Sequence, residues 1–329
     1  MIVKTRDPDE KVLKLEALIR RLPRHHLKLA DLKSELANRR SGIRGEKSID
    51  YHLTFLPDKE YYILHDLRLQ NGLGYYFQMD TLILSPYFMT LLEINNYSGH
   101  IVLDHTFEQL IQFTNHGDKR VLPNPIPQLN RQEAQLKSWL ASRKFNLPPI
   151  EPLAVMSNPS AFIESRNNTP FSQQIIHSYS IDSKIKEFQN KYHKEIFSKN
   201  TIYALTKLFM NKHTPGSYHP LREFQISVRE ILKGVHCPKC SFLPMNRTHG
   251  TWTCPSCKGV SKNAHIAALA DYILLIGDTI TNPQMQEFLQ LPNRHVVHRL
   301  LSELKLKHEG GTRYRKYLLP YSLIPLQNK

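Results

Sequence analysis

All four cysteines of the chain fall in one short stretch, as Cys237-x2-Cys240-x13-Cys254-x2-Cys257. No other feature constrains the fold as tightly. A CxxC turn lets both sulfurs point at one ion about 2.3 Å away, and two such turns close a tetrahedron of thiolates around zinc. Four protein ligands leave no position for water, so the expected site is structural rather than catalytic. It folds a segment too short to fold by burial alone. A redox dithiol pair and two disulfides are the alternatives. The intervening SFLPMNRTHGTWT is predicted to be a hairpin with Trp252 as its small core.

The cysteine segment resembles a zinc ribbon, and a helical pattern follows it to the end. NAHIAALADYILLIG reads as one helix. TNPQMQEFLQL reads as a second, with Asn282 as N-cap and Pro283 at the first helical position. PNRHVVHRLLSELKL reads as a third, with Asn293 as N-cap, and KHEGGTRYRKYLL turns at Gly310-Gly311 into a basic strand. This order resembles a winged helix-turn-helix, whose third helix enters the major groove. The resemblance implies that Arg294, His295, His298 and Arg299 face nucleic acid while Val296, Val297, Leu300 and Leu301 face the core. Arg313, Arg315 and Lys316 would lie on the wing near phosphates. Residues 258–329 hold 10 Lys and Arg against 5 Asp and Glu, a net +5. The whole chain carries 44 Lys and Arg against 29 Asp and Glu, a formal +15. Such a surplus favours polyanionic partners, with nucleic acid, DNA in particular, ahead of an anionic membrane surface. A basic but merely solvated surface is the other reading.

The N-terminal stretch MIVKTRDPDEKVLKLEALIRRL is charged throughout and has no apolar core of a secretory signal. The longest apolar runs fall short of a membrane span. A cytoplasmic, reducing compartment and no membrane partner are therefore expected. No small-molecule cofactor is evident.

Between these ends the apolar period changes. Residues 9–56 read as helical, interrupted at Pro23, with Leu13, Leu15, Leu18, Ile19 and Leu22 as one stripe. YYILHDLRL, YYFQMDTLILSP, FMTLLEINNYSG and HIVLDH read as strands separated by the turn signals NGLG, Pro86 and Gly99. NPIPQLNRQEAQLKSWLASR reads as a helix and LAVMSNP as one more buried strand. Asp80 and Glu93 sit within apolar strands, where an unpartnered carboxylate is costly to bury. If the two strands pair as a hairpin, both acids lie at one end. Glu46, on the preceding helix, offers a third oxygen ligand. Two or three acids around a divalent cation are what metal-dependent phosphodiester cleavage needs. Paired structural acids, and for Glu46 a solvated helix residue, are the plainer readings.

In order, GEKSIDYHL, HDLRL, QMDTLILSP, LLEINNYSG and NPIPQLNRQEAQL resemble the nuclease-related domain (NERD), over about residues 37–150. That resemblance implies a restriction-endonuclease-like, PD-(D/E)XK core of α/β (α+β) class, a mixed sheet flanked by helices. It implies Glu46, Asp80 and Glu93 as an acidic triad, with magnesium or manganese held by Asp80 and Glu93, and polar roles for Gln78 and Gln128. One position departs from the pattern. Where the family has Glu-x-Lys, this chain has Glu93-Ile94-Asn95, so Asn95 cannot supply an ammonium charge. Lys47 is a substitute from the helix, though it follows Glu46 and should point to another face. The expected division is an N-terminal helical segment (1–36), a nuclease-related α/β domain (37–160), a helical connector (161–235), the zinc ribbon (236–260) and the winged-helix-like module (261–329). The expected function is a nucleic-acid-binding, nuclease-related protein, either a metal-dependent DNA endonuclease with altered catalysis or a non-catalytic binding protein.

Overall fold

The computed structural model describes residues 1–104, 106–114, 117–165, 173–311 and 314–324. In chain order come β1 (Ile2–Lys4), α1 (Glu10–Arg20), α2 (Leu29–Leu53), β2 (Tyr62–Gln70), β3 (Tyr76–Leu84) and β4 (Met89–Asn95). There follow β5 (Gly99–Asp104), β6 (Gln109–Phe113), β7 (Lys119–Leu122), α3 (Pro125–Ala141), β8 (Ile150–Met156), β9 (Ala161–Ser165) and β10 (Ile175–His177). Next are α4 (Ile181–Lys191), α5 (Lys199–Lys212), α6 (Pro220–Glu223), β11 (Asn246–Thr248), β12 (Thr251–Thr253) and β13 (Val260–Ser261). The chain ends with α7 (His265–Leu275), β14 (Thr279–Thr281), α8 (Asn282–Leu289), α9 (Arg294–Glu303), β15 (His308–Glu309) and β16 (Lys316–Leu318).

Two compact units result: Met1–Asp7 with Arg40–Gly216, and Pro8–Arg39 with Ser217–Lys329. Helix α2 starts in the second and ends in the first. The sequence division differs in two respects. The N-terminal helix α1 is part of the same unit as the cysteine segment, because its Ala17 enters that unit's core. The expected helical connector contains strands β9 and β10, and most of it completes the first unit.

The first unit is built on a mixed six-stranded sheet of order β1-β2-β3-β4-β8-β10. β2, β3 and β4 pair antiparallel, whereas β8 runs parallel to both β4 and β10. Strands covered on both faces need apolar residues pointing both ways. On one face Leu82, Met89 and Leu91 pack with Leu136 and Trp139 of α3 and with Leu205 and Phe209 of α5. On the other, Ile83, Leu92, Leu153 and Val155 pack with Ile49 and Leu53 of α2 and with Ile185 and Phe188 of α4. A smaller sheet, β7-β6-β5-β9, closes on Ile101, Leu103, Leu110 and Met156. Strands β6 and β7 were not legible in the sequence: HTFEQLIQFTNHGDKRVL has no clean alternation of apolar and polar residues.

The second unit holds the cysteine hairpin, a β11-β12-β13 sheet, and the ordered run α7, β14, α8, α9, β15, β16, whose strands form a β14-β16-β15 sheet. Trp252, Cys237 and Cys254 are buried in one core with Leu269, Ile273, Met285, Leu289, Val297 and Leu300. The hairpin therefore shares its core with the helices instead of having one of its own. The N-cap of α8 is Thr281 rather than Asn282. A capping box explains the shift: the Thr281 hydroxyl accepts from Gln284 N and the Gln284 side chain accepts from Thr281 N. Asn293 caps α9 as expected, accepting from His295 N and Val296 N. No helix among the described residues is long and apolar enough to cross a membrane.

Candidate functional site

The acidic residues meet at one end of the first unit's main sheet. β3 and β4 pair with Thr81 opposite Leu92 and Leu82 opposite Leu91. Continued by one step, that register sets Asp80 opposite Glu93. There the Asp80 carboxylate replaces the ladder, Oδ2 accepting from Ile94 N at 3.0 Å. The alternation of side chains also changes phase at this point. Leu64 and Leu67 of β2, and Met79 and Leu82 of β3, reach the same core although three residues apart, which a regular strand forbids. The break falls at Asp66 and Asp80. Asp66 takes φ +50°, the left-handed region that an aspartate enters more readily than most side chains.

Glu93 is held from α3. Gln132 donates to Glu93 Oε2 at 2.9 Å and to the Gln78 carbonyl at 2.9 Å, and Gln128, one turn earlier on α3, lies near enough to favour the ionised Glu93 carboxylate. Glu46 reaches the cluster from α2 and is buried. Its placement depends on Gly45, where a Cβ would lie 2.5 Å from Ser157 Oγ and 2.6 Å from Asn96 Cβ. Only glycine lets α2 approach the ends of β4 and β8 this closely.

Burial, with Glu93, Glu46 and Asp66 nearby, holds the Asp80 carboxyl well above the usual range, against the pull of the Ile94 N–H. Burial also raises Glu93, opposed by Gln132 and Gln128. Asp66 is raised by burial and partly restored by Arg6. Three acids that cost energy to ionise together are what a bound cation would relieve.

The sequence reading missed Arg6. It lies far upstream, in a charged run without a motif. Its guanidinium sits 3.8 Å from Glu46, 3.1 Å from Asp50 and 3.5 Å from Asp66, and donates to the Glu46 carbonyl at 2.8 Å. Burial, then Arg6 and Lys4, hold the neighbouring His65 down at about 3, so that imidazole is neutral. Asp66 and Gln132 were missed too. Asp66 stood inside the quoted HDLRL, but nothing local marks a strand acid as clustered. Asn95 lies two residues beyond Glu93, on the same face of β4, and its buried Nδ2 makes no hydrogen bond. Lys47 is exposed and turned away from the cluster.

Residues 41–157 match the family model of the nuclease-related domain. The chain carries a nuclease-related domain. Glu46, Asp66, Asp80, Glu93, Asn95, Gln128 and Gln132 all lie inside the match, and Arg6 lies outside it. No curated protein and no solved structure matches the chain.

In the second unit the four cysteine sulfurs lie within 4.8 Å of one another. Cys237 and Cys257 are 3.6 Å apart, as are Cys240 and Cys254. A tetrahedron with zinc–sulfur bonds of about 2.3 Å requires separations near 3.8 Å, so the four thiols fit a structural metal such as zinc. Lys239 N and Cys257 N point at the sulfurs of Cys237 and Cys254, contacts that favour thiolate. Among the described residues no second group of three or more His, Cys, Asp or Glu ligand atoms is drawn together as a metal-holding set. The acids of the nuclease-related domain are neighbours, but their carboxylate oxygens do not converge as a three-ligand set.

On α9, Arg294, His295, His298 and Arg299 are exposed, Val297, Leu300 and Leu301 are buried and Val296 is half-buried. Lys316 is exposed on β16. Arg315 is half-buried, with its Nε unpartnered. Arg313 lies outside the described residues.

Proposed function

We propose that the protein is a divalent-metal-dependent DNA phosphodiesterase whose nuclease-related domain is supplied with substrate by a zinc-stabilised winged helix. The observation that carries this reading is the meeting of Asp80 and Glu93 across β3 and β4, with Glu46 brought in from α2. Glu46, Asp80 and Glu93 would hold magnesium or manganese. That ion, when bound, lowers the pKa of an attacking water and offsets charge on the phosphate. Gln128 and Gln132 orient the Glu93 carboxylate. Zinc in the four-cysteine site has no chemical role in this scheme, and a reducing compartment such as the cytoplasm keeps its thiols available.

Asp80→Asn separates a functional acid from a structural one. An acid whose folded pKa lies above its unfolded value binds its proton more tightly when folded. Its stabilising contribution is complete below the ordinary carboxylate pKa, about 4, and is lost as pH rises from there through the raised folded value. In the metal-free protein Asp80→Asn should therefore raise the thermal midpoint at pH 7 and flatten its dependence on pH. Cleavage of plasmid and oligonucleotide substrates with magnesium or manganese should fall by about 10³-fold, equivalent to ~4 kcal/mol. A wild type that cuts nothing, or a variant that cuts equally well, would sink the proposal. A second reading follows from the neutral Asn95, namely a degenerate core that binds nucleic acid without cutting. Retained binding with no cleavage at any metal concentration supports it.

The helix–strand–helix–helix–hairpin order of the second unit supports the winged-helix assignment, and the exposed cations on α9 support DNA as its ligand. Replacing Arg294, Arg299 and Arg315 together by alanine should weaken duplex binding and lower the slope of log affinity against log salt by about 3. Unchanged mobility shifts and an unchanged slope would remove α9 and the wing from the interface.

A further inference from the structure

We infer that the outer face of α2 is a binding track for single-stranded nucleic acid, running alongside the acidic cluster. The inference deepens the nuclease reading and rests on it for its purpose, though not for its test. Helix α2 has two unlike faces. Gly45, Glu46, Ile49 and Leu53 are buried, whereas Arg44, Lys47 and Tyr51 are exposed, and Phe55, two residues past the helix end, continues their line. Spacings of three, four and four residues set these side chains in one row.

Both halves of the row lack the usual structural explanation. Neither Arg44 nor Lys47 makes a hydrogen bond or an ion pair among the described residues. Asp50, three residues on from Lys47, is the one acid in pairing position on the helix, and it is turned toward Arg6. The cations are thereby left free. Lys137 and Lys186, also on helices, pair with Glu133 and Asp182 at i,i+4, and no acid stands four residues from Arg44 or Lys47. The aromatic half is exposed as well, Tyr51 by 66% and Phe55 by 57%. Scattered exposed rings are unremarkable, but these two touch edge to face at 5.1 Å, with His52 5.4 Å from Tyr51. They form a small aromatic shelf that contributes nothing to the core.

Free cations followed by exposed rings are what an unpaired strand needs. Phosphates follow the charges, and bases, each with a π-face, stack on the rings. A duplex offers its phosphates but keeps its bases stacked inside. The position also answers an electrostatic problem. Glu46, Asp50, Asp66, Asp80 and Glu93 repel a polyanion, and Arg44 and Lys47, on the far side of the same turn of helix, supply the opposing attraction.

The test uses the full-length protein in EDTA and a single-stranded deoxyoligonucleotide carrying 2-aminopurine, whose fluorescence falls when the base stacks. The wild type should quench the probe. Tyr51→Ala with Phe55→Ala should abolish quenching and weaken binding by about 10- to 100-fold, and Tyr51→Phe should retain both. Arg44→Ala with Lys47→Ala should lower the salt slope by about 1.4 for a single strand. All four side chains are exposed, so circular dichroism should be unchanged. Quenching and affinity indifferent to Tyr51 and Phe55, or an equal loss on duplex DNA, would overturn the inference. Asp80→Asn, which removes one repelling acid, should still quench, at least as strongly as the wild type. Failure to cleave with quenching intact counts against the nuclease reading alone. Cleavage with quenching indifferent to the shelf counts against the track alone.

Discussion

Cys254→Ser is expected to abolish the cooperative folding of the second unit. Structural zinc sites bind with an apparent ~10–16 kcal/mol, as much as the whole stability of a typical domain at ~5–15 kcal/mol. Here the effect cannot stay local. Cys254 and Cys237 are buried in the same core as Trp252, and that core continues through Leu269, Met285 and Val297 into α7, α8 and α9. Trp252 also donates to His265 Nδ1 at 3.2 Å, the first residue of α7. Opening the metal site therefore removes one wall of the helical core. The measurements are zinc content by mass spectrometry and the thermal transition of the full chain, with a chelator applied to the wild type as a second route to the same state. One zinc per chain should be lost, and duplex binding with it. A variant that stays folded, metal-free and unchanged in melting would show that burial alone holds the hairpin.

The second large effect concerns an ion pair that joins α1 to α7. Arg21 is 0% exposed and Asp271 2%. Arg21 Nε donates to Asp271 Oδ2 at 2.6 Å, its Nη1 donates to the carbonyls of Leu232 and Gly234, and its guanidinium lies 4.6 Å from the Phe288 ring centroid. Arg20 donates to the other carboxylate oxygen. Removing one member of such a pair leaves a buried charge uncompensated and costs about 3–5 kcal/mol. Asp271→Ala should accordingly lower the melting temperature of the second unit by about 10 °C. Arg21→Met combined with Asp271→Leu should recover most of the loss, since apolar packing can replace a buried pair at little cost. If the double variant melts no higher than Asp271→Ala, the specific hydrogen bonds to Leu232 and Gly234 matter more than the charge.

The pair also shows why the domain division was hard to read. Nothing in RRLPRHH indicates that Arg21 will meet an aspartate 250 positions later. Helix α1 looks like an independent amphipathic helix, and its apolar stripe is satisfied equally well by any apolar surface. Strands β6 and β7 escaped for a related reason: β6 is mostly half-buried and β7, at the edge of the small sheet, mostly exposed, so polarity need not alternate. The capping of α8 was nearly legible, one residue off, because Thr281 and Asn282 are both competent caps and only the reciprocal bond with Gln284 decides between them.

What the sequence determined by itself is the chemistry that local spacing can encode. Two CxxC turns favour a thiolate metal site over a redox pair, because each turn sets the geometry of two ligands within a few residues. The five ordered motifs specify the nuclease-related domain, and the apolar strands around Asp80 and Glu93 mark those acids as costly, hence purposeful. Tertiary structure alone decided the rest. It brought Arg6 and Asp66 into the acidic cluster, turned Glu46 inward and Lys47 outward, and built the cysteine hairpin into the helical core rather than beside it. These outcomes depend on contacts between distant segments, and a carboxylate or a guanidinium has no local signal for which distant partner will neutralise it.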